Sequence, residues 1–334
     1  MSSLPLILVT GATGAVGPRI VGVLHNAGFR IRALSLNPPP NNLLPDGVDT
    51  YTGDITDAMA VRTAVEGVEG IIHLAALSHI PNPPLELHKK YEETNVEGTA
   101  TVVKAALHAG VKRLVFSSTI AVYGASRGNI LTEESPTNPD SFYGRTKLDA
   151  ERIVLTAKRK DGEPLGTVLR LGAVYGARVK GNYKRLVNAI ARGHFVPIGR
   201  GKNRRSLIYD RDVARAALLA MEHRGAAGRI FNVTDGEFHT LNEIILTIYK
   251  VLGRKSPRIA LPLGPVRLVA GIVEDVARLM GFSPPVSRAT IDKFTEDIAV
   301  DSHRIRDEIG FMPQYDLVAG WKEAIQEMRH AGIL

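Results

Sequence analysis

The sequence places a tyrosine and a lysine four residues apart, Tyr143 and Lys147, in the run Tyr-Gly-Arg-Thr-Lys. On a helix, residues i and i+4 share a face, so the phenol and the ammonium would point into the same space. A free phenol, with a pKa of about 10, is a poor base at neutral pH. A fixed cation beside it favours the phenolate and brings it into working range. With 9 tyrosines in 334 residues such a pair also arises by chance, so its meaning rests on what surrounds it.

The elements needed to position the pair can be read in order. Leu4 to Thr10 is an apolar run that ends in Gly11-Ala-Thr-Gly14-Ala-Val-Gly17, and a helical pattern follows through Ile20, Val21, Val23 and Leu24. Strand, glycine turn and helix in that order suit a dinucleotide pyrophosphate, which needs close backbone approach and a helix N-terminus. The second strand, Phe29 to Leu34, should end at the residue that reads the adenosine ribose. An acid there binds the 2′-hydroxyl of NAD, whereas an arginine favours the 2′-phosphate of NADP. The chain offers Ser35, Leu36, Asn37 and then three prolines. NAD and NADP both stay open, NAD being the first expectation, and Ser35 and Asn37 can hydrogen-bond either.

Asp54 can hold an adenine amino group or cap the helix that starts near Asp57. His73, in the buried-type strand Ile71 to Ala76, reads as a packed strand histidine, because no second metal-type residue sits at a useful spacing. One long helix is predicted over Leu85 to Ala109, carrying Asn95, and a strand over Val111 to Phe116 leads into Ser117-Ser118-Thr119. The alternation predicts an α/β fold with a parallel, doubly wound Rossmann-type sheet, whose ligands lie at the strand C-terminal ends. Thr119 stands at such an end, where a hydroxyl partner for Tyr143 is needed.

Composition narrows the class. Hydrophobic residues make up 44% of the chain and charged residues 23%, as in an ordinary water-soluble protein. With no cysteine, disulfides, thiolate metal sites and cysteine nucleophiles are excluded, and a reducing, cytoplasmic setting is expected. The start reads as a first strand, not a signal peptide, and no apolar run approaches the roughly 18 residues of a membrane span. The net charge of +8 is concentrated. Arg178 to Arg205 holds nine Lys/Arg and no acid, which leaves the rest of the chain close to neutral. That segment suits a small phosphorylated ligand; with no interleaved aromatics beyond Tyr183 and Phe195 and no recognition module, it does not suggest nucleic acid.

Thr-Gly-Ala-Thr-Gly-Ala-Val-Gly, Gly-Asp-Ile, His-Leu-Ala-Ala, Asn-Val-Glu-Gly-Thr, Phe-Ser-Ser-Thr-Ile-Ala-Val-Tyr-Gly and Tyr-Gly-Arg-Thr-Lys occur in that order. Together they resemble the extended short-chain dehydrogenase/reductase family, and within it the nucleotide-sugar epimerases and dehydratases. The likeness continues through Arg170 to Gly176, Arg205 to Ala214, Phe231 to Gly236 and Val300 to Arg304. It implies an NAD(P)-binding domain over 1–172, to which 205–235 returns, and a smaller substrate lobe mainly over 173–334. It also implies roles. Tyr143 would take the proton from a sugar hydroxyl, Lys147 would hold the nicotinamide ribose and depress the phenol pKa, and Thr119, with Ser118 as its understudy, would bond the reacting oxygen. Gly11, Thr13, Gly14, Ala15, Val16, Gly17, Ser35, Asn37, Asp54, Ile55, Leu74, Ala75, Ala76, Asn95 and Ser117 would line the cofactor. Ser78, Asn182 and Arg205 would meet the substrate, Arg205 as the pyrophosphate arginine.

Departures from the family pattern narrow the activity. Ile120 and Ala121 follow Thr119 where sugar 4,6-dehydratases carry an acidic pair, which disfavours dehydration. Ala173 stands where many members have a diphosphate-contacting Asn, and Ser78 where galactose epimerases often have Lys. The resemblance therefore implies an NAD(P)-dependent 4-epimerase acting on a UDP-hexose or UDP-N-acetylhexosamine. The alternatives are an NADPH-dependent 4-keto-sugar reductase, a 4-epimerase of a polyprenyl-diphosphate-linked sugar and, outside enzymes, a dinucleotide-sensing protein. A homodimer through helices at about Leu85 to Ala109 and Phe142 to Lys158 is implied as well. Finally, Val266, Val269, Val273, Val276 and Met280 fall at helical spacing. They are expected to pack on the lobe's own core, with peripheral contact to a membrane as the other reading.

Overall fold

Leu6–Thr10 is apolar up to its last residue and fully buried, and it becomes an interior strand, third from one edge, of a seven-stranded sheet. In the computed structural model, which describes residues 4–78, 80, 83–257, 259–280 and 288–334, the strands of this sheet are β1 (Leu6–Thr10), β2 (Arg30–Ser35), β3 (Asp49–Thr52), β4 (Gly70–His73), β5 (Arg113–Thr119), β6 (Gly166–Leu171) and β7 (Ile230–Val233). All neighbours pair in parallel, in the order β3-β2-β1-β4-β5-β6-β7. The winding direction reverses between β1 and β4, so a crevice opens at their C-terminal ends, where the glycine turn and Leu74 to Ala76 begin.

Helices cover both faces. Gly17–Asn26 and Asp210–Glu222 pack on one through Ile20, Leu24, Val213 and Ala217. Ala58–Val65, Gly98–Ala109 and Phe142–Thr156 cover the other through Val61, Val102, Ala150 and Val154. A third core belongs to the lobe after β6. There Trp321, Tyr175, Tyr209, Ile190 and Ile248 bring together the helices Asn182–Ala191, Leu241–Leu252 and Leu317–His330.

Three expectations need correction. The long helix of 85–109 is broken into Leu85–Tyr91, a π-helical stretch Glu92–Glu97 and Gly98–Ala109. Such an insertion re-aims the residues within it, and Asn95 is one of them. The cap of Ala58–Val65 is Asp57, which accepts from the amides of Met59 and Ala60, whereas Asp54 accepts only from Thr56 N in a local turn. The apolar positions of Leu263–Leu279 do not pack on the lobe's core. Leu268, Val269, Ile272, Val276 and Leu279 are exposed, and the helix is held instead through Ala270 and Ala277 and by polar contacts to Arg288–Thr295.

Candidate functional site

The helix Phe142–Thr156 opens with Ser141 as its cap, the Ser141 hydroxyl accepting from Gly144 N at 3.1 Å. Gly144 is required by close approach, since a Cβ there would lie 2.8 Å from the carbonyl oxygen of Ala121. Ala121 belongs to the single turn Ile120–Val122 capped by Thr119, whose Oγ1 accepts from Ala121 N at 3.2 Å. Contact between Gly144 and Ala121 thus brings Tyr143 to the strand end that carries Thr119. One turn along the helix Lys147 is buried, its Nζ 3.9 Å from the centroid of the Phe116 ring.

The next turn of the same face carries Glu151, buried and paired with Arg170 at 2.7 Å. Ser118 donates to Glu151 Oε1. Consecutive residues of a strand face opposite sides, so Ser118 points into this buried pair while Thr119 turns away from it. Ser118 is thus committed to the Glu151 carboxylate. The Glu151–Arg170 pair escaped the sequence reading, although Tyr143, Lys147 and Glu151 follow one another at i, i+4 spacing.

Charge states differ from the sequence argument. Burial, helped by the neighbouring phenol of Tyr91, pushes Tyr143 up to about 12. Burial also brings Lys147 down to about 7, against the opposing pull of Glu151. A lysine whose pKa lies near neutrality gives the phenol less help than the fixed cation that the spacing suggested.

Tyr91 is a second residue that sequence reasoning missed. Its ring meets that of Tyr143 edge-on at 6.4 Å between centroids. Its hydroxyl donates to the Ser78 carbonyl at 2.7 Å and accepts from Ile80 N at 3.0 Å. Tyr91 thereby ties the exposed Ser78 segment to the Tyr143 side chain, and its position four before Asn95 on a predicted helix was the available signal. Asn95 itself is committed elsewhere. Its Oδ1 accepts from Leu77 N at 2.7 Å, and its Nδ2 donates to Leu77 O and to Thr146 Oγ1. It braces the segment after β4 against the Tyr143 helix.

The glycine turn sits at the crevice. Gly11 has φ +71°, and a Cβ on it would come within 2.9 Å of Ala75 N and Cα, so glycine lets the turn lie directly against the end of β4. Gly14 and Ala15 form an exposed tip, with Thr13 and Val16 half-buried beside it and Gly17 buried under the helix that follows. No side chain caps that helix, which leaves its first amides for an anion. Ser35 is buried at the end of β2 and its Oγ has no partner among the described residues. A buried hydroxyl without a partner at the position that reads a ribose, beside uncapped amides and a bare turn, fits a dinucleotide. Asn37 is exposed next to it. Ile55 is a core residue packed against Gly98, so only its backbone can serve a ligand. Ser117 and Leu74 line a small, mostly apolar cleft between the sheet and the helices Gly17–Asn26 and Asp210–Glu222, and Ala75 and Ala76 are half-buried at the crevice. His73 is fully buried, bonded to Thr10 and Thr99, and burial, with Lys147 nearby, takes it down to about 3.

On the lobe side, Asn182 opens the helix Asn182–Ala191 and lines a small cleft with Tyr175, Lys180, Tyr183 and Trp321. Neither cleft is lined by Tyr143 or Lys147. Arg205 lies close enough to Tyr183 to favour its ionised form, though burial dominates and lifts that phenol to about 12. The Arg205 guanidinium donates to Phe294 O at 3.0 Å.

Residues 7–234 match the NAD-dependent epimerase/dehydratase family. The chain is 29% identical over 328 residues to the N-acetyl-α-D-glucosaminyl-diphospho-ditrans,octacis-undecaprenol 4-epimerase of Escherichia coli O157:H7, covering 97% of this chain and 96% of that protein. It is 28% identical to the UDP-glucose 4-epimerase of Vibrio cholerae, covering 97% and 96%. Among solved structures, MoeE5 in complex with UDP-glucose and NAD superposes with a TM-score of 0.75 at 26% identity, covering 97% of this chain and 99% of that one. With the family match spanning the whole sheet and the relatives aligned nearly end to end, the chain belongs to the NAD-dependent epimerase/dehydratase family, enzymes of the extended short-chain dehydrogenase/reductase type.

Proposed function

We propose that the protein is an NAD-dependent 4-epimerase of a diphosphate-linked sugar, with Tyr143 as the base. The observation that carries this reading is the Gly144–Ala121 contact, which joins the Tyr143–Lys147 face to the Thr119 strand end at the crevice opened by the glycine turn. When bound, NAD supplies acceptance and return of a hydride at C4. Tyr143 takes the proton from the C4 hydroxyl and gives it back to the same oxygen once hydride has returned to the opposite face of C4. Thr119 hydrogen-bonds the reacting oxygen. Lys147, held near neutrality by burial, holds the nicotinamide ribose, and a positive charge brought close to the phenol lowers its pKa from about 12 toward the working range. Arg205, with Asn182 and Tyr183 across the lobe cleft, grips the diphosphate.

A nucleotide carrier is favoured by the basic run Arg178 to Arg205 and by the likeness to the UDP-glucose 4-epimerase. A polyprenyl carrier has its own support: the similarity to the undecaprenol-linked epimerase and the outward apolar face of Leu263–Leu279. Offering the enzyme UDP-glucose, UDP-N-acetylglucosamine and polyprenyl-diphospho-N-acetylglucosamine, with NAD and no reductant, separates the two. The C4 epimer of at least one is expected. If none is epimerised and NADPH is consumed only with a 4-keto sugar, the protein is a reductase and the reading fails. A second copy docked through Gly98–Ala109 and Phe142–Thr156 completes the proposal, and light scattering at the mass of a monomer would remove that part.

A further inference from the structure

The helix Leu263–Leu279 is amphipathic the wrong way round for a helix that covers a core. Its small and polar residues face inward. Ala270 and Ala277 are buried, and Gly271 lies so close to Arg288 that a Cβ would come within 2.4 Å of the guanidinium Nε. Arg267 pairs with Asp292 at 2.7 Å, Glu274 accepts from Arg288 N, and Asp275 pairs with Arg288 at 2.8 Å. At about 100° per residue, the outward arc runs from Leu268 through Leu279, Ile272, Pro265, Val276, Val269 and Met280 to Val273, about 140° of the wheel with no charged residue in it. Leu268 is 66% exposed, Ile272 55% and Leu279 88%. The apolar surface continues onto Ile259, Leu261 and Val196, because Gly199 N donates to Leu261 O and Leu261 N to Pro197 O.

The basic segment adjoins the start of this helix, since a Cβ on Gly199 would lie 3.9 Å from Leu263 Cβ and one on Gly193 would lie 3.6 Å from Arg254 Nη1. Arg192, Arg200, Lys202, Arg254 and Lys255 are exposed, and among the described residues none of them is in an ion pair. An uncharged apolar ridge about 25 Å long, beside uncommitted positive charge, fits a helix lying in the plane of a bilayer interface. A second copy of the chain would bring the same cations against these. An anionic lipid surface is the partner whose charge is complementary.

We infer that Leu263–Leu279 docks the enzyme on an anionic membrane surface, apolar face in the headgroup region and the Arg192–Lys202 and Arg254–Lys255 cations on the lipid phosphates. The lobe segment that holds Arg205 is tied to the same hairpin, since Asn203 and Arg205 both donate to Phe294 O. The docking places the diphosphate side of the proposed site toward the membrane, which deepens the reading of a lipid-linked substrate but is tested without it.

The experiment is flotation of the full chain with vesicles of phosphatidylglycerol and phosphatidylethanolamine, and separately of phosphatidylcholine alone. The protein is expected to float with the anionic vesicles, and raised salt or phosphatidylcholine should reduce the bound fraction several-fold. Ile272→Glu with Val276→Glu should lower it by about tenfold or more, with an unchanged circular dichroism spectrum and melting temperature, as both side chains point outward. Arg254→Gln with Lys255→Gln should lower binding to anionic vesicles only. Failure of the wild-type chain to float overturns the inference. So does flotation that the Ile272/Val276 variant retains, and so does a dimer that this variant dissociates without any vesicle binding. No readout depends on turnover, so loss of the docking and loss of the epimerase reading are seen separately.

Discussion

Tyr143 and Lys147 were legible as a chemical pair from their spacing, but their charge states were not. Spacing says that two groups share a face; it does not say how much water each one keeps. Burial moves both away from the useful form, the phenol up to about 12 and the ammonium down to about 7, so in the proposed mechanism a positive charge brought in with the ligand lowers the phenol pKa. Tyr143→Phe is accordingly expected to lower kcat by about 10³-fold or more while leaving NAD binding within about twofold. If turnover stays within about tenfold, another group is the base. His73 gives a prediction free of the chemistry. Its folded pKa of about 3 lies below the ordinary 6.5, so between those values the unfolded chain binds a proton that the native one refuses. Stability must fall as pH falls through that window, by up to about 1.4 kcal/mol per pH unit from this group. His73→Gln should flatten the slope in urea unfolding measured from pH 6.5 to 4, and an unchanged slope would assign the acid sensitivity elsewhere.

At the scale of elements, the strands and the glycine turn were legible because their signals are local: apolar runs, glycine spacing, helical periodicity. The π-helical stretch at Glu92–Glu97 was not, because nothing in a helical pattern marks one extra residue in a turn. Its consequence is the inward aim of Asn95, whose bonds to Leu77 and Thr146 brace the segment after β4 against the Tyr143 helix. Thr119 was the first choice of hydroxyl and Ser118 its understudy, and strand pleat turns the two to opposite sides. The outward face of Leu263–Leu279 misled for the opposite reason: periodicity locates an apolar stripe but not what it faces. Gly144→Ala tests how the elements are joined. The added Cβ must push the Tyr143 helix off Ala121, costing about 1–3 kcal/mol and at least about tenfold in kcat, with KM for NAD little changed. An unaltered kcat would mean that the contact does not set the site.

For the whole molecule, the two lobes divide the work. The family match covers the sheet and its crevice together with the basic segment and Asn182, and the apolar helix lies beyond it. Arg205→Ala should therefore weaken binding of a nucleotide sugar by about tenfold or more while leaving NAD binding nearly unchanged, by calorimetry. Equal losses in both would remove Arg205 from the substrate side.

The central claim is that configuration at C4 is inverted by hydride removal and return, with Tyr143 handling only the hydroxyl proton. The direct measurement is to supply UDP-N-acetylglucosamine, or the polyprenyl-linked sugar if that is the one turned over, deuterated at C4. The reaction is run in ordinary water with NAD, and the product's C4 is read by NMR. The account predicts an epimer that keeps its deuterium at C4 with no net NADH formed. An epimer whose C4 deuterium has been replaced from solvent would contradict it, because the hydrogen would then have left as a proton.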